Sequence, residues 1–170
     1  MTLAALDALA ESAARDVLTA CCGARPWVDG MLAARPWRDR TTLLSCADRC
    51  WAALTSAQVA EAVAHHPRLG EATAAAALSE RASQWSALEQ AGASAAGDDA
   101  RQRLAAGNRE YEARFGHTFI LCAHGRSAAE MLAALEARLG HDAETELRIT
   151  AAELHQITRL RLEKLLADAR

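Results

Sequence analysis

Aromatic residues are scarce in this chain, with one tyrosine, two phenylalanines and four tryptophans among 170 residues. β-Branched residues are also few, whereas alanine and leucine abound. That bias disfavours sheet and favours helix, in which Ala and Leu lose little conformational freedom. No apolar run approaches the roughly 20 residues that a membrane-spanning helix requires, so no membrane partner is expected. The start, MTLAALDALAESAARD, carries acidic residues and no basic segment, which does not fit a secretory signal. The five cysteines, Cys21, Cys22, Cys46, Cys50 and Cys122, are odd in number and irregularly spaced. They read as reduced thiols in a cytoplasm rather than as a disulfide framework. Charge of one sign is lacking too: 19 basic residues stand against 22 acidic, a net charge of −3. A general nucleic-acid binder would be more basic. There is no G-x-S-x-G, no Walker loop and no glycine-rich dinucleotide fingerprint, so no cofactor is expected. Cys46 and Cys50 stand four apart, but no second pair has ligand spacing, so no metal site is expected either.

What the chain does have is a globular balance, 51% hydrophobic and 24% charged. A chain of this length buries roughly 70% of its unfolded surface, enough for a core without staples. Over residues 3–20 apolar positions recur at helical spacing, from Leu3 to Leu18, with Thr2 as N-cap. Gly23 ends that helix, and Pro26 suits the first turn of a second, which stops at Arg35–Pro36. A third helix is predicted over 39–54. Ser56 reads as the cap of a fourth, which must end by His66 because Pro67 follows. Residues 71–91 are helical in pattern, 92–98 form a loop, and a further helix runs from about 99 to Arg114. Ser127 and Glu130 make a capping box for a helix ending at Gly140. Asp142 caps the last helix. The run Phe119–Cys122 is strand-like but too short to build a sheet. The expectation is an all-α single domain over residues 1–170, with seven or eight helices and one short extended segment near 119–122.

Four features carry chemistry. His66 precedes proline, which pushes its backbone toward extended geometry and lets the imidazole leave the helix line. Its plain alternative is a surface helix terminus. Ser86, Glu89 and Gln90 share a helix face at i, i+3 and i+4, placing a hydroxyl, a carboxylate and an amide together. Taken alone, that cluster reads better as a solvated face. Arg159 and Arg161 lie two apart on the last helix, so they point to different faces and one at most serves a given pocket wall. The backbone N–H groups of Phe119, Ile120 and Leu121 have no evident sheet partner and could hold a ligand carbonyl or carboxylate. The plain alternative there is a connector packing hydrophobic side chains.

Taken in order, the motifs say more. They are Cys22-Gly23 with Trp27 and Arg35-Pro36, His66-Pro67-Arg68-Leu69-Gly70, Ser86-x-x-Glu89-Gln90, Asn108-x-x-Tyr111-x-x-Arg114-Phe115-Gly116-x-x-Phe119-Ile120, and Leu160-Arg161-Leu162. Over residues 3–166 the chain resembles the 2-oxo-4-hydroxy-4-carboxy-5-ureidoimidazoline (OHCU) decarboxylase family of the urate-to-allantoin pathway. The resemblance implies an all-helical, cofactor-free enzyme, commonly a homodimer, that takes a small ureidoimidazoline substrate to (S)-allantoin. It implies His66 and Glu89 as the catalytic pair. Pro67, Ser86, Gln90 and Arg161 are implied as substrate contacts, and backbone groups of Phe119, Ile120 and Leu121 as the holders of the hydantoin-like ring. Arg161 is preferred to Arg159 because it matches the Leu-Arg-Leu pattern. His117-Thr118, Ala123-His124 and His141 depart from the pattern. The C-terminus lacks a Ser-Lys-Leu-type address, which points to a bacterial cytoplasm. The competing readings are a decarboxylase of another ureido or hydantoin acid, a non-catalytic helical interaction domain and, last, a metalloprotein using His65, His66 and the cysteines.

Overall fold

Side-chain caps and borrowed backbone carbonyls decide where the helices of this chain begin and end. A computed structural model describes residues 1–66, 68–69, 84–85 and 97–167. Among them are eight helices and no strand, as the alanine-rich composition predicts. They are α1 (Leu3–Asp7), α2 (Glu11–Cys21), α3 (Arg25–Ala33), α4 (Arg40–Ala52), α5 (Ser56–Ala64), α6 (Asp98–Phe115), α7 (Ala128–Arg138) and α8 (Ala143–Ala167). Of the helix expected over 71–91, residues 84–85 are described and helical; the rest lies outside the described residues, as does most of the loop expected over 92–98. No described helix is long and apolar enough to cross a membrane.

The single helix predicted over residues 3–20 is two helices. The Arg35 guanidinium donates to the carbonyls of Leu6, Asp7 and Leu9, oxygens that an unbroken helix would use internally. Thr2 caps α1 as predicted, its hydroxyl accepting from Ala5 N–H. The cap of α5 is Thr55, not Ser56. Gln58 Oε1 accepts from Thr55 N–H at 2.9 Å and Thr55 Oγ1 from Gln58 N–H at 3.4 Å, a capping box one residue earlier. The predicted Ser127–Glu130 box on α7 is present, and Asp142 caps α8 through Thr145 N–H at 2.8 Å. Gly116 ends α6 at φ +73°, a left-handed position that glycine takes without steric cost.

The described chain packs as two units, Met1–Ala62 with the last helix from His155 onward, and Val63–Leu154. In the first, α2 packs on α3 and α3 on α4. Trp27 is buried and donates its indole N–H to Ala47 O at 3.1 Å, joining α3 to α4. All five cysteines are free, as predicted; Cys46 and Cys50 lie on α4 with their sulfurs 3.9 Å apart.

In the second unit α6 packs on α7, closely enough that a Cβ on Gly107 would stand 2.6 Å from Leu135 Cδ2. Its core includes Leu69, Leu104, Tyr111, Phe119, Leu121, Met131 and Leu135. A polar network is buried within it. Arg138 Nε donates to Glu146 Oε1 at 2.8 Å and Nη2 to Thr150 Oγ1 at 3.0 Å. Tyr111 donates its hydroxyl to the same Glu146 oxygen, and His141 Nδ1 lies 2.9 Å from the other. Burial pushes the Glu146 carboxyl up, but the hydrogen bonds from Arg138, Tyr111 and His141 outweigh it, so it sits below the ordinary carboxylate range. Burial, then the bond to Glu146, pushes the Tyr111 phenol well up.

A carboxylate with a depressed folded-state pKa stabilises the fold above its unfolded value, about 4.3 for Glu, and loses that contribution as pH falls through the folded value. Glu146→Gln should therefore cost roughly 3–5 kcal/mol at pH 7, the penalty of breaking a buried pair. The difference from wild type should shrink below about pH 4. Urea unfolding at pH 7 and at pH 3 checks this; a difference independent of pH would contradict it.

Candidate active site

His66 stands just beyond α5, half-buried, with its N–H donating to Val63 O at 3.0 Å. The chain after it is tied to one face of α6. Asn108 Nδ2, buried, donates to Leu69 O at 2.9 Å. One turn further along, Glu112 takes Arg68 through two bonds, 2.6 and 2.7 Å, a forked pair that fixes orientation as well as distance. Leu69 is buried in the same cluster as Phe119 and Leu121. The segment bearing the predicted imidazole and the predicted ring-holding segment thus share one core.

That second segment, Phe119–Ala123, is buried yet belongs to no helix. The Phe119 ring meets Tyr111 edge-on, with centroids 5.1 Å apart, and carries the Arg138 guanidinium 4.6 Å above its own centroid. Arg138 Nη1 donates to Ile120 O at 2.6 Å. Cys122 N–H donates to Glu153 Oε2 at 2.7 Å. The N–H groups of Phe119, Ile120 and Leu121 find no partner among the described residues. The sequence predicts that gap.

Arg161 belongs to the other unit, where it is 2% exposed and donates from Nη1 to Ala20 O at 3.2 Å. Burial lifts the Cys22 thiol to about 11 against the opposing field of Arg161. Arg159 faces elsewhere and pairs with Asp48, whose second oxygen lies 2.8 Å from His155 Nε2. Burial raises the Asp48 carboxyl, but Arg159 and His155 outweigh it and hold it low. His155 in turn stacks on Trp51 with ring centroids 5.4 Å apart. Of the two arginines the sequence offers, Arg159 is therefore committed to a part-exposed ion pair and Arg161 is buried. Pro67, Ser86, Glu89 and Gln90 lie outside the described residues.

Sequence reasoning assigned no role to Asn108, Glu112, Arg138 or Glu153. Asn108 carried a signal, since it opens the Asn-x-x-Tyr motif. Arg138 resembles any basic residue in the last turn of a helix, and nothing in its spacing marks it as buried. A groove of about 520 Å³ lined by Asp7, Glu11, Arg15, Asp29 and Arg35 includes none of the predicted residues. There Arg15 bridges Glu11 and Asp29, while Arg35 lies 4.0 Å from Asp7. Among the described residues no three His, Cys, Asp or Glu side chains are placed to hold a metal ion.

Residues 7–163 match the family described as OHCU decarboxylase. The chain is 34% identical over 149 residues to the uric acid degradation bifunctional protein TTL of Arabidopsis thaliana, covering 87% of this chain and 46% of that protein. It is 30% identical over 138 residues to the 2-oxo-4-hydroxy-4-carboxy-5-ureidoimidazoline decarboxylase of Haloferax volcanii, covering 81% of this chain and 79% of that one. Its span is thus less than half of the plant relative and most of the archaeal one. A crystal structure of OHCU decarboxylase in the presence of (S)-allantoin superposes with a TM-score of 0.77 at 30% identity, over 90% of this chain and 99% of that chain. An (S)-allantoin synthase structure, 18% identical with a TM-score of 0.68, shares the fold over 96% of this chain and 54% of its own. With the family match running almost end to end over the motifs that hold His66, Phe119–Leu121 and Arg161, the chain belongs to the OHCU decarboxylase family.

Proposed function

We propose that this chain decarboxylates 2-oxo-4-hydroxy-4-carboxy-5-ureidoimidazoline to (S)-allantoin in urate degradation, with His66 and Glu89 as the catalytic pair. The observation that carries this reading is the family match over residues 7–163, which contains every residue of the implied site. The shared burial of Leu69, Phe119 and Leu121 supports it, because it anchors the His66 segment and the 119–121 segment in one core.

The substrate carries its carboxylate and a hydroxyl together on C4, beside the C5=N bond of the ring. Loss of CO₂ leaves an electron pair on C4 that spreads into that bond, whose nitrogen takes a proton; the enol so formed loses its hydroxyl proton through an enolate, and a proton added to C5 leaves the C4 carbonyl of allantoin. The chemistry therefore needs a stabilised oxyanion and a proton, which side chains and backbone amides can supply without a cofactor. One well-aimed amide donor is worth about 3–4 kcal/mol to such an oxyanion. An imidazole, with an unperturbed pKa near 6.5, suits His66 to acid–base work at neutral pH. Glu89 orients it or exchanges a proton with the substrate. Pro67, Ser86 and Gln90 contact the substrate, the backbone of Phe119, Ile120 and Leu121 holds its ring, and Arg161 grips an oxygen-rich group through a forked pair of bonds. In this reading residues 1–170 form one catalytic domain acting as a homodimer in a bacterial cytoplasm.

The test generates the unstable substrate from urate with the two preceding enzymes of the pathway, adds this protein, and follows CO₂ release and optical rotation. Accelerated CO₂ release with (S)-allantoin as product is expected; release at the spontaneous rate with racemic product overturns the proposal. His66→Ala should lower kcat by on the order of 100-fold with an unchanged circular dichroism spectrum. Near-normal turnover would remove its assigned role. Arg161→Lys keeps the charge and loses the fork, so KM should rise about tenfold, a cost of about 1.4 kcal/mol in binding. Wild-type constants in that variant would exclude Arg161 from the substrate.

A further inference from the structure

Two neighbouring peptide planes of the Phe119–Ala123 segment are held from outside it. Arg138 Nη1 takes Ile120 O at 2.6 Å, and Glu153 Oε2 takes Cys122 N–H at 2.7 Å. Both are charge-assisted bonds to backbone, short and strong. Both planes are trans, since Arg35–Pro36 is the one cis bond of the described chain. In a trans peptide the C=O and the next N–H project from opposite edges of one rigid plane. Fixing Ile120 O therefore fixes Leu121 N–H on the far side, and fixing Cys122 N–H fixes Leu121 C=O. Leu121 is left with a donor and an acceptor whose directions are set and which bond nothing among the described residues, although the residue is only 6% exposed. Unmet backbone groups that are buried and rigidly aimed cost free energy unless something takes them up.

Resting on the proposed decarboxylase activity, we propose that Glu153 is a positioning residue which, through the Cys122 amide, sets the Leu121 N–H and C=O as a donor–acceptor pair for the cis-amide edge of the substrate ring. A five-membered ring forces its own N–H and C=O onto one side, so it offers the complementary acceptor and donor together. An open-chain ureido group, free to adopt the trans form, does not. Glu153 and Glu146 stand seven residues apart, two turns along one face of α8. That face orders both planes, Glu153 directly and Glu146 by holding Arg138. The Arg126 guanidinium lies 3.8 Å from Oε1 of Glu153, the oxygen that does not take the amide, so the ion pair and the amide bond can be removed separately.

The experiment compares wild type, E153A, E153Q and R126A, reading KM and kcat for the ureidoimidazoline and hydrogen exchange at the Cys122 amide. Loss of a ring contact made equally in ground and transition states raises KM and spares kcat. E153A should raise KM about tenfold with kcat within about threefold, and speed Cys122 exchange at least about tenfold. E153Q, whose amide oxygen can accept the same bond, should restore most of KM and the slow exchange. R126A should keep the wild-type KM. If E153A fails to fold, Glu153→Met fills the volume without an acceptor and takes its place. Wild-type KM in the acceptor-free variant, unaltered Cys122 exchange, or an E153Q as impaired as E153A overturns the positioning role. An inactive wild type overturns the decarboxylase reading instead, and the proposal with it.

Discussion

The buried pairing of Arg138 with Glu146 is the constraint on which the Val63–Leu154 unit depends. Two full charges in an apolar core are tolerated only when each is matched and its remaining bonding capacity is filled. Here the guanidinium divides its donors among Glu146, Thr150 and the Ile120 carbonyl, and one face rests on the Phe119 ring. The carboxylate takes bonds from Arg138 and Tyr111 and meets His141. One ion pair thereby ties α6, α7 and α8 to a stretch of chain with no regular structure of its own. This buried segment belongs to no helix and pairs with no strand among the described residues, so side chains from three helices hold its conformation.

That arrangement connects stability to function. The Phe119–Ala123 segment is ordered by Arg138 and Glu153, while the backbone groups of Leu121 bond nothing among the described residues. The His66 segment is treated in the same way, with Asn108 and Glu112 of α6 holding its backbone and its following arginine. Helix α6 thus supports both stretches, one through polar side chains and the other through the Tyr111 ring. Rigid elements place irregular ones, and the backbone of Leu121 presents a donor and an acceptor that bond nothing among the described residues.

Much of this was legible in the sequence, and the gaps have physical causes. Alanine and leucine abundance and 3.6-residue periodicity give an all-α chain, and local capping chemistry places the starts of α1, α7 and α8. The break between α1 and α2 is silent because no glycine or proline makes it. The agent is Arg35, 26 residues beyond the last carbonyl it takes, and tertiary bonds of that range leave no local signature. Thr55 and Ser56 are adjacent residues of equal capping chemistry, and only the position of Gln58 separates them. That the amides of 119–121 find no partner among the described residues was readable, because a short strand-like run without a second strand in the sequence offers them none. The roles of Arg138 and Glu153 were not, since each looks like an ordinary charge on a helix surface until the fold buries it or turns it toward the chain.

The central claim is that a backbone pair at Leu121, held in place by charged side chains behind it, reads a planar ring. Nuclear magnetic resonance of the ¹⁵N-labelled protein during titration with (S)-allantoin tests it most directly, because the ring is present without turnover. The account predicts a saturable shift and slowed exchange at the Leu121 amide, larger than at Cys122, whose N–H is already engaged. Saturation with (S)-allantoin that leaves the Leu121 amide unmoved would contradict it.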